Sequence, residues 1–384
     1  MILSTFHRDT WVEINLDHIH DNVQAMRNHI ADDVQIIAVV KANAYGHGYT
    51  QVARTALEAG ATMLAVAFMD EAIFLRKQGI QAPILVMGAT RPEDLSDAVK
   101  FNVIITIFQA EWLHEALKFY HEDQAIHLHV KLDTGMGRLG VRTEAEIKAI
   151  EAVVNNDKRL VLHGAYTHYA TADEINTTFL EQQYRMFQEM LDWFAEKPSM
   201  IHCANSAAAL RFPHQLFNAI RFGISMYGLT PSVDIKPQLP FPLKEAFSLH
   251  SRLSHIKLVS PGNSISYGAT YTTKQEEWIG TVPIGYADGW LRKLRNNEVL
   301  VNGERIPIVG TICMDQMMVK LNNEVPVGTQ VTLIGQQLNN FIQVDEIAEQ
   351  LDTINYEITC MINYRVPRLY IRNNSVIEVV NHLK

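Results

Sequence analysis

The chemistry in this chain gathers first around one lysine. The stretch Val39-Val40-Lys41-Ala42-Asn43-Ala44-Tyr45-Gly46-His47-Gly48 sets an amine at the end of an apolar run, Ile36 to Val40. A small, glycine-containing loop follows it. The run reads as a short buried strand. Side chains alternate on a strand, so Lys41 shares a side with Val39 and Ile37. An amine that loses hydration is pushed toward its neutral, nucleophilic form, and such a lysine can form a Schiff base with a carbonyl compound. The plainer alternative is a lysine that ends a strand and points to water.

Other polar residues fall into the same relation with apolar runs. Tyr45 follows the Lys41 strand. Lys131, Asp133 and Arg138 lie at or after Ile126–Leu132, and His168 follows Leu160–Tyr166. Asn205 and Ser206 follow Met200–Cys203, and Arg221-Phe222-Gly223-Ile224 close the run Ala219–Phe222. Ser206 at a helix start and Gly223 after a strand suit a phosphate held by hydroxyl and backbone N–H groups, with Tyr45 adding a hydroxyl; Ser206 as a simple helix N-cap is the alternative. A lysine on one strand end and a phosphate cradle on others together describe a pyridoxal phosphate site.

The elements that must carry these groups alternate. Strand Ile36–Val40 precedes a helix near Gln51–Ala59 closed by Gly60. Met63–Val66 leads to Glu71–Lys77, with Asp70 as N-cap and Gly79 past the end. Ile84–Met87 precedes Pro92–Lys100, Val103–Ile107 precedes Ala110–Tyr120, and Ile126–Leu132 runs through the loop Asp133–Gly140 to Glu144–Asn155. Leu160–Tyr166 precedes a helix around Asn176–Trp193, Met200–Cys203 precedes Ser206–Arg211, and Ala219–Phe222 precedes a short helix near Ile224–Tyr227. Alternation of this kind predicts a parallel sheet, and the number of steps predicts a closed (β/α)8 barrel of the TIM type, with an open doubly wound sheet as the rival. In such a barrel chemistry sits at the carboxyl ends of the strands, where these polar groups fall.

After the proline-rich linker Pro231–Pro242 the pattern changes to strands and turns. Leu249–Val259, Trp278–Ile284, Val299–Val301, Ile306–Val309, Met317–Leu321, Val331–Ile334 and Leu369–Ile371 read as strands, with an Asn302-Gly303 hairpin turn and one helix near Val344–Leu351. The predicted division is a barrel over residues 1–242 and a mostly β domain over 243–384, which the lone N-terminal strand near 10–15 could join.

Composition bounds the partners. Of 384 residues 47% are apolar and 20% charged, as in ordinary soluble proteins. A net charge of −9 without a dense Lys/Arg stripe argues against nucleic acid. No apolar run is long enough to span a bilayer, and Met1 to Thr10 lacks a signal-peptide core. Cys203, Cys313 and Cys360 show no metal-type spacing and suit a reducing compartment, which predicts the cytoplasm. His127 and His129 could share a strand face, but nothing nearby completes a metal site, so packed or surface histidines are expected and no metal.

Taken together, the motifs resemble the alanine racemases, pyridoxal-phosphate enzymes built from a barrel and a β domain. The resemblance runs through nearly the whole chain. It is carried by the Lys41 stretch, Lys131-Leu132-Asp133-Thr134-Gly135-Met136-Gly137-Arg138-Leu139-Gly140, Tyr166-Thr167-His168, His202-Cys203-Ala204-Asn205-Ser206 and Arg221 to Gly228. Ser266-Tyr267-Gly268, Cys313-Met314-Asp315 and Asn355-Tyr356-Glu357 extend it into the second half. It implies that Lys41 holds the cofactor and serves as one catalytic base, while Tyr267 acts on the opposite face of the substrate Cα. It implies a chain from Tyr267 through His168 to Arg221, with Arg221 facing the cofactor's pyridine nitrogen and leaving it unprotonated. Tyr45, Asn205, Ser206, Gly223, Ile224 and Tyr356 would hold the phosphate. Arg138 would reach the cofactor's phenolic oxygen and, with Met314 and Tyr267, the substrate. Lys131 is a carbamylation candidate. The implied unit is a homodimer with shared active sites that interconverts L-alanine and D-alanine, the latter for peptidoglycan. Many relatives carry arginine where this chain has Thr311, at the substrate entrance, so substrate scope is less fixed than the core chemistry. The remaining alternatives are a serine or broad-spectrum racemase, a decarboxylase on the same fold, and a pyridoxal-phosphate-binding protein without turnover. The last lacks a second domain of the kind expected here.

Overall fold

A computed structural model describes residues 6–383. Strand β1 (Thr10–Asn15) and helix α1 (Leu16–His29) come first. The barrel then runs β2 (Gln35–Val39), α2 (Tyr49–Glu58), β3 (Met63–Val66), α3 (Met69–Lys77), β4 (Ile84–Val86), α4 (Leu95–Lys100), β5 (Ile104–Ile107) and α5 (Ala110–Ala116). It continues with β6 (Ile126–Lys131), α6 (Glu144–Asn156), β7 (Leu160–Tyr166), α7 (Thr178–Asp192), β8 (Met200–His202), α8 (Ser206–Arg211) and β9 (Ala219–Phe222). These eight strands form one sheet in the order β8-β7-β6-β5-β4-β3-β2-β9, parallel wherever they pair. Hydrogen bonds from Arg221 N–H to Ala204 O at 3.0 Å and from Asn218 N–H to Ile201 O at 3.3 Å join β9 to the β8 segment and close the ring. The expected barrel is therefore present and the open sheet is not. Strands β3, β4 and β5 are buried at every position, as parallel strands covered on both faces must be.

A second sheet has the order β11-β14-β17-β16-β15-β18-β10-β1-β20-β21. It is built from β10 (Phe247–Arg252), β11 (His255–Val259), β14 (Glu277–Val282), β15 (Glu298–Val301), β16 (Glu304–Val309), β17 (Met317–Leu321), β18 (Gln330–Gln337), β20 (Arg368–Arg372) and β21 (Ser375–Val380). Strand β19 (Asn340–Ile342) pairs with β18, and β12 (Ser264–Ile265) with β13 (Tyr271–Thr272) makes a small ribbon. Strand β1 lies antiparallel to β10 and parallel to β20. Helices α9 (Val344–Leu351) and α10 (Asn355–Met361) complete this part. The chain thus falls into two compact units: Ile19–Ala44 with Tyr49–Lys244, and the described residues up to His18 with Tyr45–Gly48 and Glu245 onward.

Several local expectations shift. Helix α2 begins at Tyr49, not Gln51, and α3 begins at Met69, so Asp70 lies in the first turn and Phe68 takes the N-cap position. The Glu71 carboxylate accepts the Phe68 N–H instead, at 3.4 Å. Gly79 does follow the helix end, with φ +83°. The single strand expected over Leu249–Val259 is two strands, broken at Leu253-Ser254, and Ile224–Tyr227 is a 3₁₀ turn.

Candidate active site

Lys41 does not sit on a regular strand. It opens a left-handed turn in which Ala42, Asn43, Ala44 and Tyr45 have φ of 54°, 54°, 51° and 52°. L-residues pay about 1–2 kcal/mol each for that conformation, asparagine less. Surrounding groups offset it. Glu71 Oε1 accepts the Ala42 N–H at 2.7 Å and the Tyr49 hydroxyl at 2.8 Å, while its Oε2 accepts the Ala67 N–H at 2.7 Å. Asn43 Oδ1 accepts the Tyr49 N–H at 3.2 Å, and the Tyr227 hydroxyl donates to Val39 O at 2.8 Å. Sequence patterning missed Glu71 and Tyr227. The signal for Glu71, a carboxylate three residues into a helix with no Ser/Thr cap before it, marks helix starts in general and not a lysine clamp.

Strand register sets Arg221 beside the lysine strand, with Arg221 opposite Ile37 and Phe222 opposite Ala38. Arg221 is 3% exposed, and both terminal nitrogens of its guanidinium are held. Nη1 donates to His202 Nδ1 at 2.8 Å and to His202 O at 3.2 Å. Nη2 donates to Thr167 O at 2.8 Å, Cys203 O at 2.9 Å and His168 Nδ1 at 3.2 Å. Every partner is a neutral acceptor. Burial holds His168 and His202 well below the ordinary imidazole range, and the Arg221 charge adds to this in both. Lys131, Arg138 and Lys41 further depress His168, which places Lys41 in the same electrostatic environment. The tyrosine ring of Tyr166 stacks on His202 with centroids 4.7 Å apart.

Lys131, on the last residue of β6, is 4% exposed. Its Nζ lies 4.9 Å from the Tyr166 ring centre and donates to Leu132 O at 3.3 Å. Burial, then the Arg221 and Arg138 cations, push this amine well below the usual lysine range, and Asp133 opposes them. The loop after it folds back on itself. Asp133 N–H donates to Val141 O at 2.9 Å, and Asp133 Oδ1 accepts the N–H groups of Gly135 at 3.1 Å and Gly137 at 2.9 Å. Gly140, at φ +134°, has no room for a Cβ, which would lie 2.5 Å from Asp133 N. Arg138 projects from this loop, exposed.

At the ends of β8 and β9 the expected phosphate donors converge. Asn205 is the N-cap of α8: its Oδ1 accepts the Ala208 N–H at 3.0 Å. Ser206 is thus inside the helix and not its cap. Ser206 Oγ accepts the Gly223 N–H at 2.9 Å, which leaves its own proton to donate elsewhere. Ile224 follows in the buried 3₁₀ turn.

In the β unit, Tyr45 and Tyr356 lie with ring centres 6.0 Å apart, and burial raises the Tyr45 phenol far above its ordinary pKa. Tyr267 and Met314 come from two loops that are tied together. The Thr311 hydroxyl donates to Tyr267 O at 3.0 Å, and Ser266 Oγ donates to Thr311 O at 2.5 Å. Tyr267 is 71% exposed and Met314 52% exposed within the single chain, while Thr311 is buried. Met314 O accepts the Ala287 N–H at 3.0 Å; the Met314 N–H has no acceptor among the described residues. Thr311 therefore serves as a prop for the Tyr267 loop.

The donor set fits the cofactor. Among the described residues the Arg221 Nε–H finds no acceptor, although the other guanidinium nitrogens are fully used, which suits an acceptor ring nitrogen. The freed Ser206 proton suits a phosphate oxygen. The described residues hold no cluster of three or more His, Cys, Asp or Glu that could bind a metal.

A TIM-type barrel with an amine, a buried arginine and a serine hydroxyl suited to a phosphate oxygen at its strand ends, followed by a β unit, fits a class of pyridoxal-phosphate enzymes. Known proteins narrow it. The family "Alanine racemase, N-terminal domain" matches residues 14–231, and "Alanine racemase, C-terminal domain" matches 246–370. The chain is 59% identical to the alanine racemase of Geobacillus kaustophilus, covering 99% of both proteins. It is 52% identical to alanine racemase 1 of Bacillus subtilis, covering 100% of this chain and 98% of that one. The crystal structure of alanine racemase from Bacillus anthracis with bound L-Ala-P superposes with a TM-score of 0.95 at 53% identity, over 98% of this chain and 99% of that one. This chain belongs to the alanine racemase family.

Proposed function

We propose that the chain is a pyridoxal-phosphate-dependent alanine racemase that interconverts L-alanine and D-alanine with two bases, the Lys41 Nζ on one face of Cα and the Tyr267 Oη on the other. The observation that carries the reading is the Arg221 cluster. An arginine cannot give up its proton, and its neutral partners leave Nε–H as the group to meet a ring nitrogen. When bound, the cofactor withdraws electrons from Cα so that its proton can leave. An unprotonated ring nitrogen limits that withdrawal, which favours prompt return of a proton over longer-lived side reactions. One base takes the Cα proton while the other supplies its own from the far side, so the configuration inverts; the reverse direction exchanges the roles. Ser206, Gly223, Ile224, Asn205, Tyr45 and Tyr356 would hold the phosphate. Arg138 and the Met314 N–H would take the substrate carboxylate.

Lys131 supports a further part of the reading. A neutral buried amine is the form that adds carbon dioxide, giving a carbamate and releasing one proton. The resulting anion would pair with Arg138, which the unmodified amine cannot do. The exposure of Tyr267 and Met314 within one chain fits a homodimer in which each β unit completes its partner's barrel. Three unbridged cysteines and the absence of any membrane-length apolar helix among the described residues fit a cytoplasmic enzyme making D-alanine for cell wall.

Incubation of the holoenzyme with L-alanine in heavy water, followed by proton NMR and chiral analysis, tests the reading. D-alanine deuterated at Cα is expected. Exchange without inversion would remove Tyr267 from its role, and no exchange despite bound cofactor would favour a binding protein or another substrate, L-serine being the next to try. Mixing a Lys41→Ala chain with a Tyr267→Phe chain should recover part of the activity through one intact shared site; no recovery from proven mixed dimers would place the whole site in one chain.

A further inference from the structure

Behind Arg221 the barrel interior holds a line of imidazoles that the two-base reaction does not call on. His202 Nε2 lies 3.1 Å from His129 Nδ1, and His129 Nε2 lies 3.1 Å from His163 Nδ1. His202 and His129 are fully buried, and His163 is half-buried. At its far end His163 borders a cavity of about 260 Å³ with His127, Gln81, Asn102, Pro83 and Ile104, toward the amino ends of the strands.

The proton positions follow from Arg221 alone. A guanidinium only donates, so His202 Nδ1 accepts and the His202 proton is on Nε2. That proton can only be given to His129 Nδ1, which fixes the His129 proton on Nε2, and the same step fixes it on Nε2 of His163. On the other side of Arg221, His168 Nδ1 also accepts. The three imidazoles therefore form a one-way chain whose donors all point away from the arginine. A proton added to His163 at Nδ1 would set two N–H groups against each other at the link to His129. Within such a chain each bond strengthens the next, so His202 Nδ1 is a better acceptor for Arg221 when its Nε2–H is itself bonded.

Two backbone features build this line. The β6–β7 register passes from Leu128 opposite Leu162 to His129 opposite Gly164, so His163 is an extra residue on β7. A bulge of this kind re-aims a side chain. Opposite His129 stands Gly164, where any Cβ would lie 2.6 Å from the imidazole ring.

Resting on the racemase reading, we infer that His129 and His163 are positioning residues of the reaction: through His202 they hold Arg221 in one orientation and one hydrogen-bonding state, and the bulge at His163 exists to complete that chain. Removing the outer acceptor leaves the buried His129 Nε2–H with nothing to bond. The repair open to the chain is a tautomer switch at His129 and then His202, which turns an N–H toward Arg221 and displaces the guanidinium.

The test uses holoenzyme labelled with ¹⁵N histidine. Between pH 6.5 and 9 the signals of His202, His129 and His163 should all report neutral rings protonated on Nε2; a charged ring, or a proton on His202 Nδ1, overturns the inference. His163→Leu removes the acceptor, whereas His163→Asn places an amide oxygen where Nδ1 was. The leucine variant should lose about tenfold in kcat, with KM for alanine within about twofold and a shifted absorbance band of the bound cofactor. The asparagine variant should recover most of the loss. A purely structural role would lower Tm in the leucine variant and leave kcat and the band unmoved, and that result, or an asparagine variant as impaired as the leucine one, overturns the inference. Should the leucine variant fail to fold, the tautomers of the parent and the kcat of the asparagine variant decide. A parent that inverts no alanine overturns the functional reading first, before any variant is made.

Discussion

Glu71→Gln tests whether the lysine turn is held from outside. Three non-glycine, non-asparagine residues of that turn, Ala42, Ala44 and Tyr45, sit at φ near +50°, a cost of about 3–6 kcal/mol in total at 1–2 per residue. Glu71 meets the turn through the Ala42 N–H at 2.7 Å, and it ties the turn to β3 through the Ala67 N–H at 2.7 Å. Hydrogen bonds to a charged group contribute about 1.5–3 kcal/mol each. Glutamine keeps one acceptor oxygen and turns an NH₂ toward the other N–H, so one such bond becomes a donor–donor clash. The expected loss is roughly 2–4 kcal/mol, comparable with the strain it offsets. The turn should then relax toward right-handed conformations and carry Lys41 away from its place. Measured by absorbance titration of the apoprotein, cofactor affinity should fall about 10- to 100-fold, the equivalent of ~1.4–2.8 kcal/mol, with Tm lower by several degrees. Parental affinity together with parental Tm would refute the reasoning, because it would mean the turn holds itself. A lowered Tm with parental affinity would put the role of Glu71 in the α3 start and not in the lysine.

Gly46→Ala should prevent folding or cost more than about 4 kcal/mol, since φ is +85° and the new Cβ would lie 2.1 Å from Thr359 O; Gly79→Ala, at φ +83° with nothing within 4 Å, should cost only about 1–2 kcal/mol, and equal Tm losses would count against the steric account. Acid should weaken the fold through its neutral imidazoles. Burial pushes His129 down to about 3 and His202 well below its ordinary range, so the unfolded chain binds protons below about pH 6.5 that the folded chain refuses. Stability is then full above about 6.5 and falls toward pH 3 by up to ~1.4 kcal/mol per unit for each buried ring; a urea midpoint equal at pH 5 and pH 7.5 would contradict this. Tyr267→Phe should leave the cofactor spectrum intact and abolish Cα exchange on one face only, and equal loss on both faces would count against a one-sided role.

What could be read from sequence was what repeats or what carries a motif. Alternating apolar runs and helix caps gave the barrel because a parallel strand buried on both faces has almost no freedom of composition, as Met63–Val66 and Ile84–Val86 illustrate. Candidate site residues such as Lys41, Ser206 and Arg221 stood out because strand ends are where chemistry collects in this architecture, and the resemblance implied roles for them. The break at Leu253-Ser254 was hidden because the residues on both sides favour strand, and only pairing with different neighbours, β18 on one side and β14 on the other, separates them.

The supports of the site were not legible, and the reason is physical. Glu71 acts on Ala42 across 29 residues, and its position is that of any helix-opening carboxylate. His129 read as a packed or surface histidine and is buried, and His163 carried no motif at all; what makes them a chain is a single-residue register slip on β7 and the missing side chain of Gly164. Neither leaves a periodic trace, since a bulge shifts alternation by one and the strand continues. Catalytic groups are constrained by what they must touch, so their types and spacing survive in the sequence as motifs. The groups that orient them are constrained only by geometry, and many residue types could meet that geometry from many places. Arg221 shows both sides of this: its identity was readable, but the direction in which its charge is presented depends on His202, His168 and three backbone carbonyls that no spacing rule connects to it.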